Sequence, residues 1–235
     1  MGDFYAVLRE CGSRRVNQDS ITLQRMVTRK GVVTMVLLCD GMGGMDAGEI
    51  ASGYVAERMA VWFYDALPGV LKSGYRSWKV SKSLQRALFR IHEDLRQYGE
   101  NRGLHCGTTF TLLLIAGKNY QVFHLGDSVA YRLGRRCRRI TDFHTKDGGV
   151  TKCIGIGRYH KPQERHGRMF GVKDYLLCSD GMRHFLKEQD LQRALQRDEI
   201  TDRSLAERAL QNLARVAARR GESDNMSAVY LRCGV

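Results

Sequence analysis

Apolar residues along this chain follow two different periods, arranged in blocks. FYAVLRE, from Phe4, and SITLQRMVTR, from Ser20, read as strands. VVTMVLLCD, from Val32, is a β-branched apolar run ending in Asp-Gly; it reads as a buried strand that delivers Asp40 to a turn. From Ala47 to about Leu67 the period lengthens: Ile50, Val55, Met59 and Phe63 recur at helical spacing, and Pro68 is expected to stop the run. A second helix is predicted over 79–101, with Leu84, Leu88, Ile91 and Leu95 on one face and Ser81 or Ser83 as its cap. Strands return at TTFTLLLIA, NYQVFHLG and SVAYRLG, and KDYLLCSDG is another buried strand that ends in Asp-Gly. Helices are predicted over 188–197 and 202–220, and NMSAVYLRC is the last strand.

The order is strands, two helices, strands, two helices, strand. Such segregation argues for an α+β chain, not an alternating parallel sheet. Each helix pair needs a sheet face to cover. Two stacked sheets with a helix pair on each outer side, a four-layer αββα sandwich, would satisfy every apolar surface. With no repeat, low-complexity tract or linker, a single domain over 1–235 is expected.

Hydrophobic residues make up 43% of the 235, enough for a sizeable core. The formal charge of +13 favours phosphate-bearing or acidic partners. No nucleic-acid motif accompanies it, so no specific nucleic-acid role is expected. Seven cysteines, an odd number without CxxC spacing, argue against a disulfide framework and a zinc site. A reducing cytoplasm is the expected compartment. MGDFYAVLRE has no apolar signal core, and Ala6 stands where a myristoylated Gly2 would want Ser or Thr. No apolar stretch approaches the roughly 20 residues that span a bilayer.

Asp19, Asp40, Asp127, Asp180 and Asp224 stand out by place. Asp40, Asp127 and Asp180 follow apolar strands directly or nearly so. One Asp in D-G or G-D-S makes a turn and needs no further account. Five at strand ends need something to pair with, because a buried carboxylate is costly alone. Divalent cations hold several carboxylates together, and all-oxygen ligation selects Mg²⁺ or Mn²⁺. Two such ions sharing a carboxylate would hold a bridging hydroxide for in-line attack on phosphorus, with an Arg as a bidentate phosphate clamp.

The ordered motifs R-R-V-N-Q-D, D-G-M-G-G-M-D-A-G-E-I-A-S, G-T-T, G-D-S-V-A-Y, L-C-S-D-G and S-D-N resemble the bacterial branch of the PPM family, the type 2C protein serine/threonine phosphatases. The resemblance runs from Arg14 to the last strand. It implies the same sandwich and a phosphoprotein phosphatase that hydrolyses phosphoserine and phosphothreonine with Mn²⁺ or Mg²⁺. Two catalytic ions and a third are implied. By resemblance Asp40 bridges two ions, and the Gly41 carbonyl ligates one of them. Asp180 and Asp224 complete one ion's ligands, while Asp19, with Gln18, holds metal-bound water. Asp127 and Asp180 bind the third ion. Arg14 binds phosphate, with Arg15 the weaker candidate. Gly43 and Gly44 would allow a tight loop, Gly48 and Glu49 open the first helix, Thr108 and Thr109 start a core strand, and Ser179 and Asn225 hydrogen-bond ligand carboxylates. The expected partners are phosphorylated substrates of a cytosolic Ser/Thr kinase, met in signalling, with the chain a monomer.

Two departures stand out. Met42 and Met45 occupy positions where family members carry His, so a metal-bound water is expected to protonate the leaving group, with His144, His160 and His166 as the other candidates. In I-T-D-F-H-T, Phe143 replaces an acid, and K-D-G-G-V-T-K-C-I-G-I-G follows almost at once. The flap is therefore expected to be largely absent and the site open and shallow.

Overall fold

Alternation within the apolar runs decides the layers. The computed structural model describes residues 3–43 and 47–234, so the readings of Gly2, Gly44 and Met45 lie outside the described residues. One five-stranded sheet runs in the order β1 (Phe4–Glu10), β14 (Met226–Cys233), β13 (Lys173–Cys178), β8 (Val129–Leu133), β9 (Arg138–Arg139). The other runs β12 (Gln163–Arg168), β7 (Asn119–Leu125), β6 (Phe110–Ala116), β3 (Gly31–Cys39), β2 (Ser20–Thr28). Every pairing in both is antiparallel.

Successive side chains of a strand point to opposite faces. Val36 and Leu38 therefore meet Leu113, Tyr175, Leu177 and Val229 in a core between the sheets. Their neighbours Met35 and Leu37 face outward, onto α1 (Ala47–Val61) and α3 (Ser77–Glu100). On the other sheet Leu176, Cys178, Ala228 and Tyr230 face outward, onto α5 (Glu188–Ala194) and α6 (Arg203–Arg219). Three cores make four layers, which is the αββα sandwich that the periodicity predicts. Runs apolar at every position, such as VLLC, are strands buried on both faces.

Register brings one end of every central strand to one edge. Ser20 pairs with Cys39, Leu38 with Thr111, and Phe110 with Leu125. In the facing sheet Cys178 pairs with both Ala228 and Val129. Asp19, Asp40, Asp127 and Asp180 lie within two residues of these ends, and Asp224 lies two before Met226, where β14 begins.

Several boundaries differ from the periodic reading. Pro68 does not stop the first helix. The chain passes through a π-helical turn, Trp62–Ala66, into α2 (Leu67–Leu71), where Pro68 sits in the first turn and its missing N–H costs nothing. Ile50 is exposed; Ala47 and Ala51 complete the buried face with Val55, Met59 and Phe63. Ser81 and Ser83 do not cap α3, whose N-cap is Arg76. The Ser81 hydroxyl binds the Ser77 carbonyl and Glu164, and the Ser83 hydroxyl accepts from Trp62. The polar edge strand β12 carries no alternating signal. It is placed by pairing along β7. A short α4 (Asp180–Arg183) opens on Asp180 itself. Two small ladders complete the set: β4 (Gly41–Met42) with β5 (Gly107–Thr108), and β10 (Thr145–Lys146) with β11 (Gly149–Val150). The second lies where the sequence predicts a shortened flap.

Candidate metal centre

Asp40 is held by its backbone. Its N–H donates to Thr109 Oγ1 at 2.9 Å, and its carbonyl accepts from Thr109 N and from Thr108 Oγ1, each at 2.8 Å. Thr109 Oγ1 also pairs with Ser128 Oγ at 3.0 Å, tying the Asp40 end to the Asp127 turn. The next residue must be glycine for lack of room: a Cβ on Gly41 would lie 2.2 Å from the Gly48 carbonyl oxygen and 2.5 Å from that of Gln18.

Asp127 is presented by a turn that two histidines fasten. Gly126 N donates to His144 Nδ1 at 3.2 Å, and His144 N donates to the Gly126 carbonyl at 2.8 Å. His124 Nε2 lies 3.0 Å from the same carbonyl, and the two rings stack at 5.0 Å. A carbonyl only accepts, so His124 carries its proton on Nε2 and its Nδ1 accepts from Thr111, 2.9 Å away. Burial holds His144 below the ordinary imidazole range and pushes His124 down to about 4, so both are neutral braces at physiological pH.

Asp224 is shared between a donor on its own strand end and one from the N-terminal loop. Its Oδ1 accepts from Asn225 N and its Oδ2 from Arg14 Nη2, both at 2.8 Å. That pairing raises the Arg14 guanidinium above its usual range. Asn225 meets the Asp224 carboxylate through its backbone N–H, as the sequence reading expects of this residue, and its side-chain amide bonds no carboxylate. It staples residues 11–18, accepting from Gln18 N and donating to the carbonyls of Cys11 and Val16. Ser179 Oγ accepts from Ser227 N at 3.0 Å.

Asp19 is buried to 1% exposure, and neither carboxyl oxygen has a hydrogen-bond partner of good geometry among the described residues. The nearby hydroxyls of Ser227 and Ser179 only soften its situation. Burial pushes this carboxyl up to about 7, with Asp180 and Asp224 adding to the shift. Burial likewise raises Asp40 well above the carboxylate range, and Asp19, Asp180 and Asp127 reinforce it. Asp40 keeps some exposed surface, but protein walls in its carboxyl, and that sets its titration. Burial and Asp180 push Asp127 up to about 6, against the pull of Arg183.

Each of Asp40, Asp127 and Asp180 offers one carboxylate oxygen, and the three lie within 4.8 Å of one another. Together with Arg14, Gln18, Gly41 and Asp224 they line a cavity of about 180 Å³. Three carboxylates at this spacing repel strongly without a counter-charge. The donors are all hard oxygens. An orphaned buried carboxyl, Asp19, stands behind them. The residues present therefore fit divalent cations of the Mg²⁺ or Mn²⁺ type. Arg15 does not line this cavity, and neither do His144, His160 and His166. Met42 does, and so does Val150 of the small hairpin. Larger cavities lie along α3, but they hold no carboxylate cluster; the chemistry, not the size, marks this one.

Residues 11–227 match the family model of protein phosphatase 2C. The chain belongs to this family. Among curated relatives of this phosphatase 2C chain, the protein phosphatase PhpP of Streptococcus pneumoniae is 29% identical over 248 residues, covering 96% of each protein. The serine/threonine protein phosphatase PstP of Mycobacterium tuberculosis is 28% identical over 218 residues, which covers 83% of this chain and 39% of that one. The solved catalytic domain of PstP, in complex with two manganese ions, superposes with a TM-score of 0.76 at 25% identity, covering 99% of this chain and 98% of that one. The sandwich is therefore the family's fold. What sequence reasoning missed is the bracing: G-T-T reads as the start of a strand, yet Thr108 and Thr109 clamp Asp40, and His124 and His144 lock the Asp127 turn. No pattern along the chain announces either role, because both depend on which strands become neighbours.

Proposed function

We propose that this chain is a metal-dependent protein serine/threonine phosphatase that hydrolyses phosphoserine and phosphothreonine. The carrying observation is the convergence of Asp40, Asp127 and Asp180 to within 4.8 Å beside an arginine. In this reading Asp40, the Gly41 carbonyl, Asp180 and Asp224 would hold the catalytic ions. Asp127 with Asp180 would hold a third, and Asp19, aided by Gln18, would position water behind them. Bound Mn²⁺ or Mg²⁺ would supply Lewis acidity toward the phosphate and an activated water as nucleophile.

The chain's own residues do the rest. Arg14 is largely exposed at the cavity mouth and rests one nitrogen on Asp224. Its remaining donors can meet a phosphate in the planar fork that Lys cannot reproduce. The Thr108–Thr109 clamp and the histidine brace fix the backbone that carries two carboxylates before substrate arrives, which lowers the ordering cost of binding there. A cavity of about 180 Å³ is smaller than sites that engulf metabolites, which supports a phosphate presented on a protein surface. The names of PhpP and PstP, and the manganese in the PstP structure, support the same reading.

A monomer acting in cytoplasmic signalling against a Ser/Thr kinase is the setting proposed for it. No helix among the described residues is long and apolar enough to cross a membrane. The test measures phosphate release from phosphoserine and phosphothreonine peptides with Mn²⁺, Mg²⁺ or EDTA, beside Asp40→Asn and a panel of phosphorylated metabolites. Metal-dependent release from the peptides, abolished in Asp40→Asn, is expected. Preference for metabolites, or turnover that survives EDTA and Asp40→Asn, would sink the proposal.

A further inference from the structure

We propose that the outer face of α3 is a docking surface for an acidic segment of a partner protein, one in which carboxylates alternate with apolar side chains. Val80, Leu84, Leu88, Ile91 and Leu95 bury the inner face of this helix against the sheet. On the opposite face Trp78, Lys82, Arg86, Phe89 and Arg90 are all exposed. Their spacing stacks them in a single stripe, one turn above the next. The core does not need them. Trp78 is 62% exposed and Phe89 50%, and rings left in water forgo the stabilisation that burial would return.

A groove flanks the stripe on each side. One, of about 750 Å³, runs toward α1 and adds Arg58 and Lys79 to the stripe residues. The other, of about 970 Å³, adds Tyr159, Lys161 and His166. Neither shares a residue with the acidic cavity. The grooves present six cations, Arg58, Lys79, Lys82, Arg86, Arg90 and Lys161, against three carboxylates. Two of those carboxylates are already engaged: Asp94 accepts from Tyr54, and Glu164 from Ser81 and Gln121. The local field is strongly positive, and it is interleaved with aromatic anchors. Phe89 is pre-set by an edge-on contact with Tyr159 at 5.3 Å, and Lys79 lies over the Trp78 ring. Trp and Arg side chains beside grooves are the usual carriers of interface affinity.

Charge complementarity names the occupant. A nucleic-acid strand carries a charge at every step and would be driven across Asp65, Asp94 and Glu164. A peptide with interspersed acids can place its carboxylates on the cations and its apolar side chains on the rings, and avoid the three acids. The face stands apart from the catalytic reading, so binding is measured in EDTA, where turnover plays no part.

The probe is a fluorescein-labelled Asp/Glu-rich peptide with interspersed phenylalanines, titrated by fluorescence anisotropy against the full chain. An Asn/Gln-substituted peptide and a labelled oligodeoxythymidylate serve as comparators. The acidic peptide is expected to bind tightest. Lys82→Glu with Arg86→Glu is expected to weaken it about tenfold or more, and Trp78→Ala with Phe89→Ala several-fold, at unchanged thermal midpoints. Mn²⁺-dependent turnover of p-nitrophenyl phosphate is expected to stay at the wild-type level in both variants. Equal binding of acidic and neutral peptides, or an affinity indifferent to the charge reversal, would overturn the proposal. Tighter binding of the oligonucleotide would give the face to nucleic acid instead. A dimer that dissociates on Trp78→Ala would give it to a second copy of this chain.

Discussion

Asp40 and Arg14 play different parts at the same cavity, and replacing them should separate those parts. Asp40→Asn keeps the shape and removes the charge proposed to hold cations. Turnover of p-nitrophenyl phosphate should fall by about 10³-fold or more, because metal stabilisation of the developing charge is worth several kcal/mol. Circular dichroism should be unchanged, since the Thr108 and Thr109 bonds go to the Asp40 backbone. Arg14→Lys should raise KM for phosphopeptides about tenfold with a smaller effect on kcat, the loss of one bidentate contact. Thr109→Val tests the clamp. It orphans the Asp40 N–H and the Ser128 hydroxyl, and should cost about 1–3 kcal/mol in urea unfolding. A variant as stable as wild type would show that the clamp does no holding.

Elements meet the site through a few cross-ties, and His92 is the plainest. It projects from α3, fully buried, toward the segment that follows the small hairpin. Its Nδ1 accepts from Gly155 N at 3.1 Å, and its Nε2 lies 3.1 Å from the Gly157 carbonyl. Burial holds its pKa below the ordinary range, so it bridges as a neutral ring. His92→Leu fills similar space but leaves a buried backbone donor unpaired. It should destabilise the chain by about 2–4 kcal/mol and speed amide exchange at Gly155 before it slows turnover. A flap nearly absent is expected from the sequence. In that place four residues pair, Thr145 with Val150 and Lys146 with Gly149, and Val150 reaches the cavity wall.

For the whole molecule, the carboxylate cluster makes stability depend jointly on pH and cations. Asp19, Asp40 and Asp127 have folded pKa values above those of an unfolded chain. The folded state therefore binds more protons than the unfolded one between the unfolded value near 4 and the folded values, about 7 for Asp19 and about 6 for Asp127. Stability from these groups is fully present at low pH and is lost as pH rises through that window. In EDTA, Tm should fall between pH 5 and pH 7.5. Mn²⁺ at a hundred times its Kd should add about 2.7 kcal/mol, a rise of some 5–10 °C, and more at pH 7.5 than at pH 5 because protons compete for the same oxygens. A Tm that rises with pH in EDTA, or ignores Mn²⁺, would contradict the cation reading. Far from the site, Arg232 grips Asp174 through two bonds of 2.7 and 2.9 Å, both residues being buried. Arg232→Met would leave that carboxylate with only Arg197, 3.9 Å away, and should cost about 3 kcal/mol in urea unfolding.

The sequence by itself determined the strands, the helix pairs and the list of candidate ligands. Period-2 and period-3.6 patterns are local, and each Asp is visible at the end of an apolar run. It did not determine that Pro68 would be carried inside a helix, that QERHGR would pair as an edge strand, or that Asn225 would staple a loop. Nor did it show which two threonines and two histidines hold the carboxylates in place. Those outcomes depend on which segments, far apart in the chain, become neighbours through strand register. Register decided the convergence as well. Asp40, Asp127 and Asp180 sit in three strand ends up to 140 residues apart, and only antiparallel pairing within each sheet, with one sheet packed on the other, sets their oxygens within 4.8 Å.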